Sequence, residues 1–194
     1  MSLPVGVLAL QGDFREHAAT LQAIGVQSVE VRRISELEKV SGLIIPGGES
    51  TVMQKLAVAY DLFEPIKNKV HNGFPVFGTC AGLIMLAEEI LDGIPGQAGF
   101  GGLDVSVRRN AFGHQLDSFE ADLEFNGIDG LVHAAFIRAP IVERAGTGVE
   151  VLSKLDDGRI VAVRQNNALG ISFHPEVAGE TRIHELFVSQ IKNA

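Results

Sequence analysis

The first half of the chain alternates between short apolar runs and segments in which apolar residues recur at helical spacing. Residues 5–10 form an apolar run, as expected of a strand that is buried on both faces. Apolar residues then recur at helical spacing over residues 14–24, and a glycine follows at position 25. Further strands are predicted at residues 28–31, 42–45 and 75–77, and further helices over residues 50–70 and 81–91.

The second half has a different pattern, in which short strand-like runs follow one another closely. These runs cover residues 103–108, 117–123, 132–137, 149–154, 159–164 and 169–173, and a helix is predicted at residues 181–191. The turn Asp156-Asp157-Gly158 separates two of the runs and is typical of a hairpin. The order of elements predicts an α/β fold: a three-layer, doubly wound, mostly parallel sheet flanked by helices, with additional antiparallel strands in the second half. Without a linker or repeat, residues 1–194 are expected to form one domain.

Composition and charge narrow the classes of function. Hydrophobic residues make up 46% of the 194 positions and charged residues 21%, which is ordinary for a globular protein. A net charge of −8 with scattered basic residues argues against a nucleic-acid partner. No apolar run is long enough to cross a bilayer, and the first residues do not resemble a signal peptide. The single cysteine fits a reducing compartment, so we expect a cytoplasmic protein that does not bind membranes.

That single cysteine, Cys80, lies in Gly78-Thr79-Cys80-Ala81-Gly82, directly after a predicted strand. Small residues on both sides of a nucleophile are typical of the nucleophile elbow, a strained turn between a strand and a helix. The glycines allow unusual dihedral angles and let the helix pass close to the strand. The alternative is that Cys80 is a small buried hydrophobic residue, as free cysteines often are.

His174 and Glu176, two residues apart in Phe173-His174-Pro175-Glu176, supply the other parts of an activated-thiol triad. In an extended segment stiffened by Pro175, the two side chains would point to the same side. His174 would then accept the thiol proton and deliver it to a leaving amine, while Glu176 would hold the imidazole in the required tautomer. The alternative for His174 alone is a core histidine satisfied by backbone groups.

Acyl transfer also requires donors for the developing oxyanion. The backbone N–H of Ala81 and that of Gly48, in the glycine loop Pro46-Gly47-Gly48, are the candidates; otherwise this loop is an ordinary turn. The segments Gln11-Gly12 and 46–50 and Cys80 all follow predicted parallel strands. Sites in such sheets form at the carboxyl ends of the strands, so we expect these three loops to meet at one edge.

The elbow, the His-Pro-Glu triplet and the glycine loop together resemble the triad-type (class I) glutamine amidotransferases, which hydrolyse the side-chain amide of glutamine. Within that family the chain is similar to the glutaminase subunits that serve pyridoxal 5′-phosphate synthase. The similarity spans nearly the whole chain. The segments that carry it are 6–12, 16–17, 43–51, 78–82, 109–113, 118–120, 136–140 and 174–176.

The resemblance implies a nucleophile, Cys80, with His174 and Glu176 completing the triad. It also implies contacts to L-glutamine by Gly48, Glu49, Ser50, Arg109, Ile137 and Arg138. The ammonia would pass to a separate synthase subunit, whose docking would activate the glutaminase, and no cofactor or metal is expected. From the sequence alone, a solvated surface charge would be the favoured interpretation of either arginine, but their placement in the matching segments favours binding. His114 stands where the family usually has arginine, which affects no triad position.

Three alternatives remain open at the level of sequence. A cysteine peptidase or related hydrolase on the same fold commonly has histidine directly after the cysteine, whereas this chain has Ala81. A glutaminase of another pathway, such as histidine biosynthesis, would associate with a different synthase. A catalytically silent regulatory subunit would release no glutamate even with its partner present.

Overall fold

The computed structural model describes residues 4–111 and 118–193. Up to residue 86, strands alternate with one helix or, between the third and fourth strands, two helices, and eight further strands and two further helices follow among these residues. The strands are β1 (Val5–Leu8), β2 (Ser28–Val31), β3 (Leu43–Ile45), β4 (Val76–Thr79), β5 (Ala87–Ile90), β6 (Leu103–Arg108), β7 (Ser118–Glu124), β8 (Leu131–Ile137), β9 (Ile141–Ala145), β10 (Glu150–Lys154), β11 (Ile160–Gln165) and β12 (Ala168–Ile171). The helices are α1 (Phe14–Ala23), α2 (Ile34–Leu37), α3 (Ser50–Ala59), α4 (Phe63–His71), α5 (Ala81–Leu86), α6 (Pro175–Ala178) and α7 (Arg182–Asn193).

A large mixed sheet forms the centre of the part of the chain that the structure describes. Its strand order is β2-β1-β3-β4-β12-β11-β9-β6-β5, and β10 pairs with β11. In this spatial order the first four pairs, from β2-β1 to β4-β12, are parallel. The next three pairs, β12-β11, β11-β9 and β9-β6, are antiparallel. A separate antiparallel pair consists of β7 and β8. The predicted fold, doubly wound at first and antiparallel later, is therefore confirmed.

The apolar runs of the first strands are buried because a hydrophobic cluster lies on each face of the sheet. Along β1, Val7 belongs to one hydrophobic cluster, with Phe14 and Phe77, and Leu8 to the other, with Met53 and Ile66. Alternate side chains of one strand thus enter two cores. No helix within residues 4–111 and 118–193 is long and apolar enough to cross a membrane.

The prediction of one helix over residues 81–91 is wrong in its second half. Helix α5 ends at Leu86, and residues 87–90 form β5, which pairs parallel with β6. The sequence Ala-Glu-Glu-Ile favours a helix locally, but pairing with β6 supplies backbone hydrogen bonds that a local pattern does not reveal. Three short elements, α2, α6 and β9, were also not predicted.

Candidate active site

Cys80 occupies a strained turn between β4 and α5. Its backbone has φ 49° and ψ −104°, a conformation that residues other than glycine rarely adopt. The turn is tight because α5 passes directly over β3: a Cβ on Gly82 would lie 2.0 Å from the carbonyl oxygen of Ile45. The predicted elbow, and the steric reason for its glycine, are both confirmed.

His174 and Glu176 follow β12, the strand beside β4. Thr79 of β4 pairs with Ile171 of β12, so Cys80 and His174, which follow these strands, lie at the same edge of the sheet. The backbone N–H of His174 donates to the carbonyl of Ala135 at 2.9 Å, which fixes the residue against β8. The His174 Nδ1 lies 2.8 Å from the Glu176 Oε1.

The backbone conformation of residues 174–176 differs from the predicted one. The prediction places His174, Pro175 and Glu176 in an extended segment. Instead Pro175 is the first residue of α6 and His174 immediately precedes that helix, a position where the fixed φ of proline suits a helix start. Glu176 therefore reaches back to His174 from the first turn of α6, and the two side chains still meet.

The His174 ring is hydrogen-bonded through Nδ1 to the Glu176 carboxylate at 2.8 Å, and it is close enough to the Cys80 side chain to interact with it electrostatically. Burial of the ring by itself lowers its pKa, but Cys80 and Glu176 outweigh burial and raise the pKa of His174 to about 10. Burial also raises the pKa of Glu176, against the opposing effect of its bond to His174. The imidazolium form is stabilised at this position because two groups that carry negative charge when deprotonated flank the ring.

The glycine loop after β3 packs against the triad. A Cβ on Gly47 would lie 2.4 Å from the His174 Cε1, and one on Gly48 would lie 2.1 Å from the Gln11 Oε1. That Gln11 oxygen accepts a hydrogen bond from the backbone N–H of Glu49 at 2.9 Å. The three loops that the sequence placed at one edge, including Gln11-Gly12, thus meet beside His174.

A polar network links three of the predicted substrate contacts. Arg109 donates to Glu49 at 3.0 Å and to Gln97 at 3.0 Å, and Gln97 donates to the Ser50 hydroxyl at 2.9 Å. Gln97 was missed by the sequence analysis, because it lies in a segment without regular structure and carries no motif. It connects residues that come from two distant parts of the chain.

Ile137 and Arg138, the other two predicted contacts, lie at the end of β8. The Cys80 sulfur lies 4.0 Å from the backbone carbonyl of Ile137, so this strand end borders the nucleophile. Arg138 is exposed and has φ 44°, which turns the chain sharply after β8. His114 lies outside the described residues, as do Asp117 and the rest of the segment 112–117.

Two histidines that lie in no recognisable catalytic motif form a buried pair next to Thr79 and Glu176. His17 and His184 are completely buried, and the His17 Nδ1 lies 2.8 Å from the His184 Nε2. The burial of His17 could have been predicted from its helical spacing with Phe14 and Leu21, because these three residues form the buried face of α1. Asp13 was also missed; its Oδ2 lies 3.4 Å from the His174 Nδ1.

The buried pair makes stability depend on pH. Burial lowers the pKa of His184 to about 4 from its usual 6.5, so the unfolded chain binds more protons between these values. The free energy of unfolding should therefore fall as the pH is lowered through this window, by roughly 3 kcal/mol for this group. In His184→Gln we expect a shallower decrease between pH 6.5 and 4, measured by urea unfolding. An unchanged slope would contradict a buried neutral His184.

One group of three potential ligand side chains occurs among residues 4–111 and 118–193. It consists of Asp13, His174 and Glu176, whose ligand atoms lie within 4.8 Å of one another. The His174 and Glu176 atoms are already hydrogen-bonded to each other at 2.8 Å. We therefore assign no cation to this group.

Comparison with known proteins agrees with this geometry. The model of the SNO glutamine amidotransferase family matches residues 7–193. "Pyridoxal 5'-phosphate synthase subunit PdxT" of Leifsonia xyli is 58% identical over 188 residues, 96% of this chain and 95% of the relative. The protein of the same name in Nocardia farcinica is 56% identical, over 98% of this chain and 86% of the relative. A solved structure described as a glutamine amidotransferase superposes with a TM-score of 0.91 at 49% identity, covering 97% of this chain and 98% of the other.

Proposed function

The chain belongs to the SNO glutamine amidotransferase family, and we propose that Cys80, His174 and Glu176 hydrolyse the side-chain amide of L-glutamine. The observation that carries this proposal is that the His174 ring is hydrogen-bonded to the Glu176 carboxylate at 2.8 Å and also interacts with Cys80. This arrangement supports the assignment of a nucleophile, a base and an orienting carboxylate, the three groups that acyl transfer requires.

In the first half of the reaction, His174 takes the thiol proton and the Cys80 sulfur attacks the carbonyl carbon of the amide. A C–S bond forms and the carbonyl oxygen becomes an oxyanion. His174 then donates the proton to the amide nitrogen, the C–N bond breaks, and ammonia leaves. The product on the enzyme is a glutamyl thioester.

In the second half, His174 takes a proton from water, and the resulting hydroxide attacks the thioester carbonyl. The C–S bond breaks, the sulfur regains a proton from His174, and glutamate is released. Glu176 stays ionised throughout; it stabilises the imidazolium form and keeps the His174 Nδ1 occupied, so that Nε2 faces the sulfur.

The backbone N–H groups of Gly48 and Ala81 are proposed as the donors for the oxyanion. Ala81 follows the nucleophile in the chain and begins α5. Gly48 lies in the loop that packs against His174 and has φ 131°, a conformation favoured by glycine. The Gln11 side chain, which accepts from the Glu49 N–H, supports this loop from behind.

Glutamine carries a carboxylate and an ammonium group that need fixed partners. We propose that Arg109 binds the carboxylate and Glu49 the ammonium, with Gly48, Ser50, Ile137 and Arg138 around them. The Arg109 side chain is 15% exposed and already forms hydrogen bonds to Glu49 and Gln97, so its guanidinium is held in one orientation. A preorganised cation of this kind suits a small anionic group.

Arg109→Ala should raise the KM for glutamine by about 10-fold to 100-fold, because a charged hydrogen bond of this strength is lost. The matched control is Arg108→Ala. Arg108 is the neighbouring residue but pairs with exposed Glu143 at 2.7 Å, so its loss should change KM less than about twofold. Equal KM values for the two variants, from initial rates of glutamate release, would contradict the assignment of Arg109.

The relatives' name assigns them to pyridoxal 5′-phosphate synthase, and we infer the same assembly for this chain. Ammonia released at Cys80 would then pass to the synthase subunit of a heteromeric complex, out of contact with water. We place the protein in the cytoplasm, where its single free thiol remains reduced. The family match favours this role over a peptidase or a glutaminase of another pathway.

The test is glutamate and ammonia release from glutamine, with and without the synthase subunit. We expect equal amounts of the two products and a rate that increases when the synthase subunit is present. Small glutamine-containing peptides should be hydrolysed much more slowly than glutamine. Preferred cleavage of the peptides would support the hydrolase alternative, and no glutamate release in the complex would support the silent regulatory one.

A further inference from the structure

The second carboxylate oxygen of Glu176 faces inward, away from the base. Oε1 lies 2.8 Å from the His174 Nδ1, whereas Oε2 is buried and has no hydrogen-bond partner within the described part of the chain. The His17 Nε2 lies 3.6 Å from Oε2, and both side chains are fully shielded from solvent. This distance is too long for a hydrogen bond but short enough for strong electrostatic interaction in a buried site.

His17 also contacts the end of the nucleophile's strand. Its Nε2 lies 3.0 Å from the Thr79 hydroxyl, and Thr79 immediately precedes Cys80. The same ring nitrogen therefore faces both halves of the triad, the elbow and the carboxylate. The edge-to-face contact with Phe77, at 6.2 Å between ring centroids, holds the ring from the side.

The hydrogen-bond network selects one tautomer for His17. The His184 Nδ1 is buried and has no partner in the part of the chain that the structure describes, and an orphaned acceptor nitrogen is less costly there than an orphaned N–H. His184 therefore carries its proton on Nε2 and donates it to the His17 Nδ1, 2.8 Å away. His17 then carries its own proton on Nε2, facing Thr79 and Glu176.

We propose that His17 is a positioning residue of the glutaminase reaction: as the neutral Nε2–H tautomer fixed by His184, it holds the Glu176 carboxylate ionised and aligned with His174. This proposal rests on the proposed function, because it assigns Glu176 to the triad. The N–H of His17 lies on the inner side of the carboxylate, with Nε2 3.6 Å from the Glu176 Oε2, where its dipole favours the charged form. Without it, this buried oxygen, which has no hydrogen-bond partner among the described residues, would lose that stabilisation.

The groups around Glu176 determine how loss of the His17 donor would change the dependence of activity on pH. His174 stabilises the carboxylate, Asp13 opposes it, and burial opposes it most. His17 is itself faced by His184 and His174, and burial and these two rings lower its pKa, which keeps it neutral. Removing the His17 donor should raise the pKa of Glu176 further, so the carboxylate would become protonated, and activity lost, at a higher pH than in the wild type.

The first experiment compares His17→Leu with His17→Gln in the complex, at saturating synthase subunit. Both variants lose the acceptor for His184, but the Gln side chain can place an amide N–H near the position of Nε2. We expect kcat near neutral pH to fall about 10-fold in His17→Leu. The acid limb of its pH profile should move up by about one unit, and His17→Gln should recover most of both losses.

Two results would overturn the proposal: an acid limb that does not move in His17→Leu, or a His17→Gln variant as impaired as His17→Leu at every pH. Either result would mean that His17 only fills space. Wild-type complex and Cys80→Ala are assayed beside them. If the wild type releases no glutamate, or Cys80→Ala releases as much as the wild type, the proposed function fails instead.

A second measurement requires no variant at the buried site. In protein labelled with ¹⁵N-histidine, the proposal predicts that His17 gives the signals of a neutral ring with its proton on Nε2, unchanged between pH 8 and pH 6. A ring protonated on Nδ1, or one that becomes charged in this range, would overturn the proposal even if the His17 variants fail to fold.

Discussion

The complex of Cys80→Ala with the synthase subunit is expected to release no glutamate above the level of the uncatalysed reaction. Removing the nucleophile of a covalent mechanism lowers kcat by about 10⁵-fold or more, because His174 and Glu176 act only through it. In the proposed mechanism the sulfur forms the thioester, and the sequence contains no second cysteine that could replace it. Cys80→Ser should also be strongly impaired, since a hydroxyl is a weaker nucleophile at neutral pH.

The fold of Cys80→Ala should survive, which separates chemistry from structure. Cys80 is 7% exposed, and alanine removes a single sulfur atom without adding volume. Glutamine binding should persist, because Glu49 and Arg109 are unchanged, and calorimetric titration can measure it. Glutamate release within tenfold of the wild-type rate would refute Cys80 as the nucleophile.

Gly82→Ala is expected to destabilise the protein by about 3 kcal/mol or more. The added Cβ would lie 2.0 Å from the carbonyl oxygen and 2.9 Å from the carbonyl carbon of Ile45. Both are backbone atoms of β3, a central strand, and neither can rotate away. Either α5 must move outward, which displaces Cys80, or β3 must shift within the sheet.

Gly148→Ala is the matched control for this substitution. Its added Cβ would meet only the end of the Gln165 side chain, at 3.4 Å, so the free energy of unfolding should change by less than about 1 kcal/mol. Urea unfolding of both variants measures the difference. A loss below about 1 kcal/mol in Gly82→Ala would contradict the close approach of α5 to β3.

The parts of the fold that sequence predicted well are those whose signals are local. Strands β1, β3 and β4 are buried on both faces and appear as uninterrupted apolar runs. The strand-to-helix turn at Cys80 was predictable because a tight backbone requires small residues at fixed offsets. Parallel topology then determined which loops share an edge, so Gln11-Gly12, the glycine loop and Cys80 could be placed together from the sequence.

The parts that sequence missed depend on partners far away in the chain. Residues 87–90 become a strand because β6 lies beside them. His17 and His184 are separated by 167 positions, and neither lies in a sequence motif that would predict contact with the other. Gln97 joins Ser50 to Arg109 across a fold that brings three separate segments together. Local pattern identifies the reactive groups, but only the tertiary structure shows what surrounds them.

The location of β12 between β4 and β11 has a consequence for the protein's own synthesis. The ribosome synthesises Cys80 long before residues 168–176. The thiol has no His174 beside it until β12 has paired with β4. Under the proposed mechanism, a truncated or half-translated polypeptide that already contains the elbow but lacks His174 and Glu176 should therefore be unable to hydrolyse glutamine. Competence for hydrolysis is thus tied to completion of the central sheet.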